Sequence, residues 1–96
     1  MADVVPAEEF VELAGGRVHV LRGGAGEPVL FLHAAGGAGV WHPFHQLLAE
    51  AGFTVLAPDQ RGCGFSDKPP GGYDAWTMAA DIENAAINSS ATTPMK

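Results

Sequence analysis

The chain has 96 residues, 47% of them hydrophobic and 17% charged, a composition that suits a folded domain with at most one core. Eleven acidic residues against five basic ones give a net charge of −6, and the acids are scattered, so no nucleic-acid partner is expected. Cys63 stands alone and excludes an internal disulfide, the N-terminus lacks the features of a secretion signal, and no window approaches the roughly 18 apolar residues of a membrane span, so a cytoplasmic protein with no membrane partner is expected.

Phe10, Val11 and Leu13 lead into Ala14-Gly15-Gly16, after which Arg17-Val18-His19-Val20-Leu21-Arg22 alternates polar and apolar residues. This predicts an antiparallel hairpin. Gly23 to Pro28 is a turn, and Val29-Leu30-Phe31-Leu32 is an unbroken apolar run that predicts a strand covered on both faces. A glycine-rich loop from Ala34 to Gly39 feeds a helix expected over Val40–Ala51, with Trp41, Phe44, Leu47 and Leu48 on one face and Gly52 as its stop. Phe53–Ala57, closed by Pro58, is a second buried strand. Strand, helix and strand make a βαβ unit with a right-handed crossover, so the fold class is α/β with a mixed sheet. Asp59 to Gly72 is turn-rich, and helix resumes after a candidate N-cap, Asp74, with Trp76, Met78, Ala79, Ile82, Ala85 and Ala86 available to pack. The apolar pattern ends at Ile87. The expected organisation is a partial α/β domain over residues 1–87 and a disordered or out-of-frame tail over residues 88–96.

Two cofactor readings fail on the residues present. A dinucleotide fingerprint starting at Gly37 needs a third glycine where His42 stands. A metal centre built on His42 and His45, with His33 nearby, has no carboxylate or cysteine to complete a usual ligand set, and surface or internally satisfied histidines are expected instead. Neither a cofactor nor a metal is expected. The loop after the first apolar strand offers different chemistry: small residues there let backbone N–H groups face a cavity, where they can stabilise a developing oxyanion.

Two stretches carry a resemblance. Leu32-His33-Ala34-Ala35-Gly36-Gly37 is the first; Ala57-Pro58-Asp59-Gln60-Arg61-Gly62-Cys63-Gly64-Phe65-Ser66-Asp67-Lys68-Pro69, with its D-x-R-G-x-G-x-S pattern, is the second and more specific. In this order, behind an opening hairpin, they resemble α/β-hydrolases of the epoxide hydrolase, haloalkane dehalogenase and carbon–carbon bond hydrolase type, to about Ala85. The resemblance implies the N-terminal part of an α/β-hydrolase fold and hydrolysis of a small organic substrate: an ester, an epoxide, a haloalkane or a carbon–carbon bond. It further implies that the N–H of Ala35 is the oxyanion donor and that His33 holds the loop. Asp59, Arg61, Gly62, Gly64 and Ser66 then form a structural loop, the glycines allowing tight turns and the polar side chains satisfying backbone groups. The sequence departs from the family at Ala34, where His-Gly is usual.

A nucleophile elbow requires G-x-S-x-G or G-x-D-x-G on a strand-to-helix turn, and the sequence has neither. Ser66 has no glycine two residues on, and Ser89 and Ser90 follow no strand. The nucleophile, acid and base are therefore expected outside these residues, with this chain truncated before the elbow and inactive alone. Its Val29–Leu32 strand would then expose an apolar edge for self-association. The alternative is a non-catalytic interaction module that binds a partner through that edge.

Overall fold

The hairpin forms as its alternation predicts. In the computed structural model, which describes residues 7–34 and 36–89, β1 (Ala7–Leu13) pairs antiparallel with β2 (Gly16–Gly24), from Ala7 opposite Arg22 to Leu13 opposite Gly16. Gly16 makes the tight turn feasible by adopting φ 135°. The apolar runs become β3 (Glu27–Leu30) and β4 (Phe53–Pro58), which pair in parallel, while β4 also pairs antiparallel with β2. The sheet order is β1-β2-β4-β3, a mixed sheet with the hairpin on one side and the parallel pair on the other.

Helices cover both faces. α1 (His42–Glu50) packs on β4 and β2, and α2 (Ala75–Asn88) packs on β1, β4 and β2. Because neighbouring strand residues point to opposite faces, Leu21 and Val55 meet α1 whereas Val20 and Leu56 join Val11, Val18 and Ala85 in the core under α2. β2 is central enough that Val18, His19 and Val20 are all buried in succession. α2 starts where expected: Asp74 accepts the Thr77 amide at 2.9 Å, a side-chain N-cap.

Several expectations need correction. The helix expected from Val40 begins at His42, after a 3₁₀ turn over Ala38–Trp41, and Pro43 sits in its first turn, where a missing N–H costs nothing. Its inward face is not Trp41, Phe44, Leu47 and Leu48. His45 is the buried residue, Trp41 and Leu48 flank it at helical spacing, and Phe44 and Leu47 are 51% and 62% exposed. β3 is not covered on both faces, since Leu30, and Leu32 just beyond the strand, are 41% and 54% exposed; among the described residues it is also an edge strand paired with β4 alone. Trp76 does not pack, being 87% exposed in the first turn of α2. That helix runs to Asn88, and the buried Ser89 hydroxyl donates to Glu9 of β1; residues 90–96 of the expected tail lie outside the described residues. Among the described residues no helix is long and apolar enough to cross a membrane.

Leu56 is 2% exposed at the centre of this core. Leu56→Ala should therefore destabilise the chain by about 2–5 kcal/mol in urea unfolding, and a loss well below about 1 kcal/mol would place the stabilising core elsewhere.

Candidate active site

The carboxyl ends of β3 and β4 each run into a loop, and one side chain joins the two. Asp59, the residue after β4, is 2% exposed. Its Oδ1 accepts the Ala38 amide at 2.7 Å, and its Oδ2 accepts His19 Nδ1 at 2.7 Å and the Phe65 amide at 3.1 Å. Burial pushes this carboxyl up, but the amide bonds from Ala38 and Phe65, with the His19 ring, outweigh it and hold the group below the usual carboxylate range.

The loop after β4 is built around that carboxylate. Gly64 takes φ 52°, and a Cβ there would lie 2.3 Å from the Asp59 carboxyl. Ser66, also buried, accepts the His19 amide at 2.9 Å through Oγ and donates to the Asp59 carbonyl at 2.6 Å. The Asp59 amide donates to the His19 carbonyl at 2.8 Å, so both backbone groups of His19 are bound to this loop. One residue further on, Asp67 and Arg17 exchange two hydrogen bonds at 2.9 Å. Arg61 turns away from the cleft: Nε and Nη2 donate to the two Asp81 oxygens at 2.7 and 3.0 Å, and Nη1 donates to the Gly71 carbonyl. The bond to Asp81 leads the influences that hold this guanidinium charged. Gly62 at φ 83° leaves room for the Tyr73 ring, which a Cβ would meet at 2.7 Å.

The loop after β3 is tied down at two points. His33 is buried; its Nδ1 donates to the Ala34 carbonyl, its Nε2 accepts the Gln60 amide at 3.0 Å, and the Gln60 side chain donates to the His33 carbonyl at 2.9 Å. Those partners fix the Nδ1–H tautomer. The second tie is Ala38 to Asp59. Ala35, the residue expected to donate to an oxyanion, lies outside the described residues. Ala34 needs no glycine: among the described residues none but glycine has positive φ, and here Gly36 and Gly37 take φ 94° and 87°. Between the loop of Gly36, Gly39 and Val40 and the loop of Asp59, Gly64 and Phe65 lies a cleft of about 410 Å³. In open α/β sheets such a crevice at the carboxyl ends of parallel strands is the usual ligand position.

The structure thus brings His33, Asp59, Gly64 and Ser66 together and sets Arg61 and Gly62 behind them against α2 and Tyr73. Sequence reasoning missed His19, Ala38, Gln60 and Asp81. His19 carried a signal, since a histidine between two valines of a central strand must find a polar partner. Among the described residues no group of three or more potential ligands is placed to hold a metal. His45 is not at the surface: its ring packs edge-on to Phe31 at 4.8 Å, its Nε2 has no hydrogen-bond partner among the described residues, and burial, then His42, lowers its pKa.

The geometry defines an α/β scaffold with its site at the strand ends, and comparison identifies which one. Residues 27–91 match the family profile described as alpha/beta hydrolase fold. A soluble epoxide hydrolase of Corynebacterium sp. is 44% identical over 71 residues, covering 71% of this chain and 24% of that protein. The 2-(acetamidomethylene)succinate hydrolase of Mesorhizobium japonicum is 38% identical over 87 residues, covering 85% and 31%. Among solved structures, the epoxide hydrolase CorEH matches with TM-score 0.76 at 38% identity over 82% of this chain and 28% of its own. An esterase from Exiguobacterium antarcticum matches with TM-score 0.77 at 34% identity over 84% and 31%. The chain belongs to the alpha/beta hydrolase fold family. It spans between 24% and 31% of the length of these relatives.

Gly64→Ala places a methyl group on the Asp59 carboxyl and demands a left-handed alanine, so it should cost at least about 2–3 kcal/mol in thermal or urea unfolding; a neutral outcome would show that the two loops are not locked through Asp59. The Asp59 contribution to stability is full above the ordinary carboxylate pKa of about 3.9 and is lost as pH falls through its lower folded value. Asp59→Asn should flatten that acid limb of the stability curve while leaving in place the earlier loss below about 6.5 that His45, lowered on folding, produces as it is forced to protonate.

Proposed function

We propose that this chain is the N-terminal portion of an α/β-hydrolase catalytic domain that cleaves a small organic substrate with water: an ester, an epoxide, a haloalkane or a carbon–carbon bond. Its part of the reaction is electrostatic. The Ala35 N–H donates to the oxyanion that develops as the bond is attacked, and His33, Asp59, Arg61, Gly62, Gly64 and Ser66 keep the loops in register. The nucleophile, the acid and the base come from outside these 96 residues, no cofactor takes part, and the cytoplasm is the place of action.

The observation that carries this reading is the anchoring of the loop after β3 by the Asp59 carboxylate, at 2.7 Å to the Ala38 amide. An oxyanion donor is effective only if it is already in place when charge develops, because reorganising it during the reaction would cost what the bond returns. A loop held by the buried Asp59 carboxylate, and by a histidine with both nitrogens engaged, supports that reading.

A second reading is favoured by a different observation. Among the described residues β3 has an open edge, and beside it Leu30, Leu32, Met78, Ile82 and Ile87 line an apolar groove of about 570 Å³. A non-catalytic interaction module, or self-association of this chain, would use that edge by adding a strand to it.

The test is a chimera in which residues 7–89 replace the matching segment of the Corynebacterium epoxide hydrolase. It should hydrolyse epoxides, the 96-residue chain alone should not, and Ala35→Pro, which deletes one N–H, should lower the chimera's kcat by roughly 100- to 1000-fold. A folded chimera without turnover would remove the hydrolase reading. Turnover by the chain alone would overturn the placement of the nucleophile, and a stable stoichiometric complex of the chain with itself or a partner, formed without turnover, would favour the interaction module.

A further inference from the structure

His19 is the most buried titratable side chain of β2, 2% exposed between Val18 and Val20, and none of the roles given above uses it. Its ring lies between Phe10, with centroids 5.0 Å apart, and Phe65, at 5.3 Å. Nδ1 meets Asp59 Oδ2 at 2.7 Å. Since an ionised carboxylate only accepts, the proton in that bond is carried by Nδ1. Nε2 has no hydrogen-bond partner among the described residues and faces the exposed Glu8 carboxylate at 3.6 Å, and Arg17 lies over the Phe10 ring at 4.5 Å.

The plane of an aspartate carboxylate turns about its Cβ–Cγ bond. Phe65 and His19 hold Oδ2 of Asp59, and this fixes the direction of Oδ1, the oxygen that receives the Ala38 amide. The ring is restrained from following a rotating carboxylate, because the His19 amide and carbonyl are bound to Ser66 and Asp59 and the buried ring is packed against Phe10 and Phe65. We infer that His19 is the positioning residue of this site: through Asp59 it sets where Ala38, and with it the Gly36–Ala38 turn of the loop after β3, is held. The kinetic consequence rests on the hydrolase reading above, whereas the structural consequence does not.

Asparagine and glutamine separate this role from simple packing, because the Asn amide stands where ring Nδ1 stands and the Gln amide where Nε2 stands. In the full 96-residue chain, amide hydrogen exchange by NMR should show Ala38 protected in His19→Asn but about tenfold or more less protected in His19→Gln, the worth of a hydrogen bond to a charged acceptor, with the β1–β2 ladder unchanged in both. In the chimera, H19Q should lower kcat by roughly 10- to 100-fold at unchanged KM, the cost of a misplaced catalytic group, and H19N should restore it. Equal behaviour of the two variants at Ala38 would overturn the inference. Should H19Q fail to fold, the ring nitrogen shifts of the native chain decide: a proton on Nδ1 supports the role, and a proton on Nε2 alone overturns it. A native chimera without turnover would count against the hydrolase reading only, since the exchange measurement still judges His19.

Discussion

The structure depends on one buried negative charge. A carboxylate withdrawn from water is costly unless its oxygens are filled with donors, and Asp59 is supplied from three separate elements: the loop after β3, the middle of β2 and the loop after β4. Each donor constrains the element that carries it. The Ala38 amide can reach Oδ1 only if the loop turns back over the strand end, which the left-handed Gly36 and Gly37 permit. The Phe65 amide can reach Oδ2 only if the chain passes within contact distance of the carboxyl at Gly64, where no side chain fits. The spacing of the D-x-R-G-x-G-x-S pattern follows from this closure, and Ser66 completes it by binding both the Asp59 carbonyl and the His19 amide.

Arg61 belongs to the same pattern but serves the other face. Its bidentate pair with Asp81 reaches from the loop after β4 to α2, and Gly72, at φ 86°, leaves the space its guanidinium occupies. The loop is therefore held from above by Asp59 and from behind by Asp81, so the strand-end geometry and the packing of α2 are coupled. That coupling explains why α2, whose first turn exposes Trp76, is still fixed: Asp81 and Ala85 are its buried positions, and Ser89 secures its far end to Glu9. The helix is attached as much by polar bonds as by apolar burial.

What was legible in the sequence divides along the same line. Local signals gave the hairpin, the βαβ order and the Asp74 cap, because alternation, apolar runs and capping chemistry are properties of a few adjacent residues. They did not give which face of α1 turns inward. Trp41, Phe44, Leu47 and Leu48 form an apolar stripe, but the sheet takes the neighbouring face through His45, and Val40, Phe44 and Leu47 stay exposed. Periodicity identifies a stripe without identifying its partner. The cover of β3 was misread for a related reason: an unbroken apolar run predicts two covered faces, yet cover depends on what packs over each face, and Leu30 stays exposed. At the site, Asp59 and Ser66 were legible as polar residues satisfying backbone groups, whereas the pairing of His19 with Asp59, 40 residues on in sequence, was not, because no local rule joins them.

Ala34 shows how far such a motif tolerates change. The family pattern has glycine there, which suggests a backbone conformation that alanine would resist. The left-handed turns of this loop fall instead on Gly36 and Gly37, and Ala34 contributes its carbonyl, which receives His33 Nδ1. A carbonyl is indifferent to the side chain beside it. The demand on the loop is therefore that its backbone groups be aimed and held, and the side chains that meet it are His33, Gln60, Asp59 and, one bond further away, His19. In this chain the loop after β3 is held by anchors that lie outside it, in β2 and in the loop after β4.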